Sequence, residues 1–330
     1  MKLSVLDYGL IDKGKTASQA LKESCQLAKR AEDLGFNRFW VAEHHNIKAL
    51  ATSSPEVFMM HLADRTNRIR IGSGGVMALH YSTFKIAENF RMLETLHPNR
   101  IDLGIGNSLG TRLVQSALSS IHEKDDYGQV LAQLQGYLSP DKQAPLPLDV
   151  NPKSASYPQL WPLSNSEETA RTAGQLGLGY TFGIFPYMPK DPIAYAKQST
   201  QAYRDAFSPS AQQHEPQVML AAFIIIAETD DKAQELAKSL DIWMLGNQDF
   251  NEFDTYPTYS EASSYPLTKK QKQTIAANRN RMIVGSPQVV KQQLEPLLAA
   301  SQATELLAIP LVPDIANRIT SLELLADLYL

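Results

Sequence analysis

Eight times along these 330 residues a short apolar run gives way to a stretch with apolar residues at helical spacing, and no other feature limits the fold as much. Consecutive apolar residues suit strands buried on both faces, and strands alternating with helices pair in parallel through right-handed crossovers. The runs fall at residues 3–7, 39–42, 69–74, 101–105, 159–163 and 180–184, within 218–227, and at 306–309. Helical spacing follows each, as in Leu21, Cys25, Ala28, Ala31 and Leu34 before Gly35, or in Ile86, Phe90, Leu93 and Leu96. Ser54 is placed to cap the second helix with Pro55 at its first position. Further helices are expected at 127–138, 166–176, 191–207 and 314–329, whereas 139–158 carries five prolines and reads as a loop. Eight such units close into a TIM (β/α)8 barrel, here a single domain over 1–330. An open doubly wound sheet is the rival, but no Gly-x-Gly-x-x-Gly follows the first strand, so its dinucleotide-binding form loses its main support.

In a barrel the loops after the strands share one face. Three strand exits are then telling: Phe39-Trp40-Val41-Ala42 runs into Glu43-His44-His45, Ile69-Arg70-Ile71 into Gly72-Ser73-Gly74-Gly75, and Ile101-Asp102-Leu103 into Gly104-Ile105-Gly106-Asn107. They are expected to open on one pocket. An insertion after the seventh strand, 228–284, falls on the same side. It contains one extra helix, 230–245, and a Tyr/Ser/Asn-rich segment, 247–280, and is a candidate lid that would keep water from a reactive centre.

A net charge of −4 supplies no broad field for nucleic acid or anionic membrane, so a small-molecule ligand is expected. The single cysteine, Cys25, excludes an internal disulfide and a multi-thiolate zinc site. The start reads as a strand rather than a signal peptide, and the longest apolar run, 218–227, is about half a membrane span. A cytoplasmic protein is the expectation.

Several chemistries compete at the exits. His44 and His45 are neighbours, so a strand would point them to opposite faces, and a metal-hydrolase reading has only His80 to add nearby; no metal is expected. Asp7 and Glu43 could pair as in a glycosidase, without support from their spacing. Glu43 and His45 could instead hydrogen-bond neighbouring loops. Ser73-Gly74-Gly75 would let bare backbone lie against a flat ring; a plain glycine-rich turn is the alternative. Ser164-Asn165-Ser166 opens a helix and could hold an anion, although Ser164 with Glu167 and Asn165 with Glu168 also read as capping boxes whose carboxylates would repel a phosphate. Trp161, Phe182 and Phe185 could wall a pocket or fill the core.

The segments Val41-Ala42-Glu43-His44-His45-Asn46, Arg70-Ile71-Gly72-Ser73-Gly74-Gly75-Val76-Met77, Arg100-Ile101-Asp102-Leu103-Gly104-Ile105-Gly106 and Val284-Gly285-Ser286-Pro287, in this order, resemble the bacterial luciferase-like flavin monooxygenase family, in its single-chain branch. The resemblance implies a TIM barrel that uses FMN, reduced by a separate flavin reductase, and oxygen to oxidise a small organic substrate. It places the catalytic imidazole at His44, near the reactive edge of the flavin, where a side chain titrating near neutral pH handles protons. It sets Ser73, Gly74 and Gly75 beside the isoalloxazine, with an unusual cis peptide in that stretch, and the phosphate near Asn165 and Ser166. Asn107 stands where the family usually has a phosphate-binding arginine, and Arg112, on the same flexible loop, is expected to substitute. A homodimer through the second and third helices is implied, for which Phe58, Met59, Leu62, Phe90 and Leu93 could supply an apolar contact or could equally be ordinary barrel-facing positions. Two alternatives stay open: a flavin-sequestering protein with little turnover, suggested by Asn107, and a deazaflavin (F420) enzyme.

Overall fold

A computed structural model describes residues 1–185 and 191–330. Among the described residues there are ten strands: β1 (Lys2–Asp7), β2 (Arg38–Val41), β3 (Arg70–Ser73), β4 (Val76–Met77), β5 (Ile101–Gly106), β6 (Gln159–Ser164), β7 (Tyr180–Ile184), β8 (Val218–Ile226), β9 (Ile283–Gly285) and β10 (Glu305–Ile309). Eight of them close a parallel barrel in the order β1-β2-β3-β5-β6-β7-β8-β10, with β10 returning to β1 through Leu3↔Leu306. β4 resumes the line of β3 after the glycine pair and runs beside β5, and β9 extends the far end of β8.

Alternation along the strands sorts the core into two shells. Leu3, Val5, Phe39, Val41, Ile71, Leu103, Tyr180 and Phe182 pack between barrel and helices. Leu6, Trp40, Trp161, Met219, Ala221, Phe223 and Leu307 fill the barrel. At its N-terminal end lies a buried charge network: Arg38 pairs with Asp102 at 2.7 Å and with Glu305 at 3.0 Å, and Asp102 also receives Arg70 at 2.7 Å and the Trp40 indole N–H at 3.0 Å. Three acceptor oxygens and two guanidinium groups satisfy one another, with Arg38, Asp102 and Glu305 buried and Arg70 at the edge.

Several sequence expectations need correction. Ser54 does precede the helix Pro55–Ala63, but its side chain accepts no capping bond; its ψ of 80° turns the cap away from the usual geometry. The segment after β5 is not simply a loop, since Thr111 caps a short helix, Arg112–Leu118. Within 228–284 the helix Asp230–Trp243 is joined by Tyr259–Ser264 and Lys269–Arg279, each opened by a capping box, Thr258 with Glu261 and Thr268 with Gln271. The residues offered for dimer contact, Phe58, Met59, Leu62, Phe90 and Leu93, are all buried against the barrel; Val57, Met92 and Leu96 are the exposed apolar residues of those helices.

Candidate active site at the C-terminal mouth of the barrel

The exits of β2, β3 and β5 meet. Gly74 N–H donates to the Val41 carbonyl at 2.8 Å, and Met77 N–H donates to the Glu43 carboxylate at 2.8 Å. The Gly74–Gly75 peptide bond is cis. A Cβ at Gly75 would stand 2.7 Å from the Gly106 nitrogen, and one at Gly74 would stand 2.5 Å from a methyl of Leu6. Neither residue has a positive φ; at Gly75 glycine is required by close backbone neighbours, and at Gly74 a side chain would meet the tip of Leu6. Ser73 is fully buried and its hydroxyl donates to the Gly104 carbonyl at 2.8 Å, so only its backbone is left for a ligand.

His44 is half-buried on the exit of β2, three residues beyond the Val41 carbonyl that Gly74 holds. Its backbone N–H donates to Thr52 at 3.0 Å, and its ring packs on Tyr8 with centroids 4.6 Å apart. The ring Nδ1 is buried with no partner among the described residues. Burial pushes the imidazole down to about 4, with the opposing charge of Glu43 too weak to restore it and His45 adding to the fall. The expectation of an imidazole titrating near neutrality is therefore corrected: His44 is a neutral ring at working pH. Glu43 spends its charge elsewhere, receiving Met77 N–H, the Tyr81 hydroxyl at 2.6 Å and His45 Nε2 at 2.8 Å. Burial, then that bond to Glu43, raises the Tyr81 phenol well above its ordinary range. His80 likewise faces a local partner, Ser120 at 2.7 Å. Among the described residues no group of three or more His, Cys, Asp or Glu is arranged to hold a metal.

The next exits belong to β5 and β6, aligned by Ile105↔Pro162, which brings Asn107 alongside Ser164-Asn165-Ser166. Asn107 and Asn165 are half-buried. Ser166 is the N-cap of the helix Glu167–Gln175 and accepts from Thr169 N–H at 3.2 Å, while Ser164 accepts from Ser166 N–H at 3.0 Å. The two capping boxes expected from Ser164 and Asn165 therefore do not form, because the helix starts two residues later than the first requires and one later than the second. Glu167 lies 3.7 Å from Arg171, which offsets part of its charge. Arg112 opens its own short helix and is exposed, so it projects from a fixed helical position rather than from a flexible loop.

Of the aromatic candidates, Trp161 lies in the barrel interior under the Arg38 guanidinium, 4.6 Å from its ring centre, and Phe182 faces the helices beside Tyr195. Phe185 alone reaches the mouth, where its ring is 6.1 Å from Phe223, itself 6.3 Å from Tyr8. Tyr8, Phe223 and Tyr81 escaped the sequence reading. A signal existed for Phe223, which shares inward parity with Met219 and Ala221.

The closed parallel barrel, with a neutral imidazole and a side-chain-free floor at its C-terminal mouth, defines a TIM-barrel protein whose chemistry gathers where such barrels carry it. The chain belongs to the luciferase-like monooxygenase family, whose profile matches residues 1–304. N-acetyl-S-alkylcysteine monooxygenase of Bacillus subtilis (strain 168) is 30% identical over 336 residues, spanning 100% of this chain and 98% of its own. The crystal structure of apo-MsnO8 superposes with a TM-score of 0.87 at 33% identity, covering 99% of this chain and 98% of that one. The oxygenating constituent of 3,6-diketocamphane monooxygenase from Pseudomonas putida, solved with FMN, gives a TM-score of 0.70 at 17% identity over 99% of this chain and 97% of its own, a likeness of fold.

Proposed function

We propose that the protein is an FMN-dependent monooxygenase that takes reduced FMN from a separate flavin reductase and uses oxygen to oxidise a small organic molecule. The observation that carries this reading is the orphaned Nδ1 of His44 on the exit of β2, an exit that the Gly74 N–H to Val41 bond joins to the bare backbone of Gly74 and Gly75. A flat ring can approach such backbone closely, and a buried polar atom without a partner calls for one. FMN in the distant diketocamphane enzyme supports the choice of cofactor.

Reduced FMN, when bound, supplies the electrons that activate oxygen. The chain's own residues do the rest. Gly74, Gly75 and the Ser73 backbone shape one side of the ring's seat. Asn107, Asn165, Ser166 and the amides opening the helix Glu167–Gln175 face the phosphate end, with Arg112 as the cation in reach. His44, neutral, accepts or returns a proton at its ring nitrogen while the surrounding rings exclude water. Exposed Val57, Met92 and Leu96 supply the apolar contact for a homodimer, and the working location is the cytoplasm.

Anaerobic titration with photoreduced FMN tests the cofactor, followed by oxygen and a product search by mass. Tight binding with gain of one oxygen atom by a substrate supports the proposal. Asn107 in place of an arginine favours a second reading, a flavin-sequestering protein, and tight binding without oxidation of any substrate would establish it. Binding of deazaflavin and not of FMN would instead assign an F420 enzyme.

A further inference from the structure

The N-terminal end of the barrel, opposite the mouth, carries a cleft of about 850 Å³ whose lining includes Lys2, Glu32, Phe36, Arg68, Ile69 and Arg70. That volume is ample for a small organic ligand. Strand register brings its cations to one rim. Ser4, Arg38 and Arg70 are aligned across β1, β2 and β3, and Lys2 and Arg68 each stand two residues before the aligned position on their own segment.

Arg68 is presented from a braced turn. The Glu32 carboxylate accepts the N–H groups of Asn67, Arg68 and Ile69 at 2.8, 2.6 and 2.9 Å, and the Arg100 guanidinium donates to the Thr66 and Ile69 carbonyls at 3.0 and 3.1 Å. Burial opposes the charge of Glu32, but those three amides outweigh it and hold the carboxyl below its ordinary range, so this charge is committed to the turn. Arg70 is committed likewise, to Asp102 at 2.7 Å and to the Asn99 and Ile101 carbonyls.

Lys2 and Arg68 are not. Both are exposed, and neither side chain has an ion-pair or hydrogen-bond partner among the described residues. The rest of the chain, residues 186–190, contains no carboxylate side chain that could supply one. A second cleft, of about 220 Å³, shows the contrast: both lysines in its lining are paired, Lys13 with Glu261 at 2.5 Å and Lys232 with Glu235 at 3.3 Å. In a chain of net charge −4, two unpaired cations at one concave rim make a local positive field.

We infer that the cleft at the N-terminal end is a second ligand site, taking a small organic oxyanion, a carboxylate or a phosphate ester, whose charged group is held by Arg68 and Lys2. The Arg68 guanidinium offers a planar fork to either head group, and the Lys2 ammonium adds a point charge beside it. This site is separate from the mouth and does not rest on the flavin reading.

Equilibrium dialysis at neutral pH and low ionic strength tests it, with benzoate, phenyl phosphate and neutral benzyl alcohol as probes. The proteins are the wild type, Arg68→Gln, Lys2→Gln and, as a control at the mouth, Arg112→Gln. At least one of the two anions is expected to bind saturably and at least about tenfold more tightly than benzyl alcohol, and the one that binds identifies the head group. Arg68→Gln and Lys2→Gln are each expected to weaken that binding about fivefold to tenfold, and Arg112→Gln to leave it in place. The inference is overturned if neither anion binds saturably, if benzyl alcohol binds as well, if affinity is unchanged in both cleft variants, or if Arg112→Gln weakens binding as much as they do.

Discussion

The Glu43 carboxylate holds the backbone N–H of Met77 at 2.8 Å, and through that bond the exit of β2 is fastened to the chain just beyond the Gly74–Gly75 pair. The same carboxylate takes the Tyr81 hydroxyl and His45. Replacing it by alanine leaves two or more buried donors without a partner, each worth about 1–3 kcal/mol. Glu43→Ala should therefore lower unfolding stability by about 2–5 kcal/mol in urea denaturation, with Glu43→Gln recovering part of the loss. An unchanged midpoint in the alanine variant would contradict this role.

The two glycines of the floor should tolerate substitution unequally. A Cβ at Gly74 meets the tip of the Leu6 side chain, which can swing aside, whereas a Cβ at Gly75 meets the Gly106 nitrogen and the Gly104 carbonyl oxygen at 2.7 and 2.9 Å, which cannot move without shifting β5. Gly74→Ala should cost about 1 kcal/mol and Gly75→Ala about 3 kcal/mol or more. Thermal unfolding of both variants decides the order.

Burial of His44 has a pH signature. The unfolded chain takes up its proton as pH falls below about 6.5, while the folded imidazole does so only near about 4. The unfolded state thus binds more protons in that window, and stability is lost as pH falls through it, by about 3 kcal/mol at most. Urea midpoints between pH 4 and pH 7 should show a shallower acid limb in His44→Ala than in the wild type. Parallel limbs would show that the ring is solvated.

At the opposite end of the barrel, Arg38→Met removes the cation shared by Asp102 and Glu305; Asp102 keeps Arg70, whereas buried Glu305 is left with only the neutral donors Ser4 and Asn37. A loss of about 3–5 kcal/mol is expected in denaturant titration, because breaking one side of a buried pair costs more than the pair contributes.

What the sequence disclosed was local. Residues 127–138 and 180–184 could be bounded to the residue because their patterning is uninterrupted, and the glycine and histidine exits stood out because polar residues break apolar runs abruptly. Two helices of the insertion were hidden by polarity on every face, although Thr258 with Glu261 and Thr268 with Gln271 announce them. The ring contact at the mouth was hidden for a different reason: Tyr8 and Phe223 are 215 positions apart and meet only when β8 and β1 close on either side of β10. Nor could spacing show that His44 is buried deeply enough to be neutral, or that the residues offered for dimer contact belong to the core.

The most direct test compares wild type with His44→Ala in two measurements on one preparation, affinity for reduced FMN under anaerobic conditions and oxygen transfer, after admission of oxygen, to a substrate the wild type oxidises. The account predicts FMN affinity within about threefold and oxygen transfer reduced by about a hundredfold or more, as expected when a proton-handling group alone is removed. Loss of affinity and transfer together, or retention of both, would contradict it.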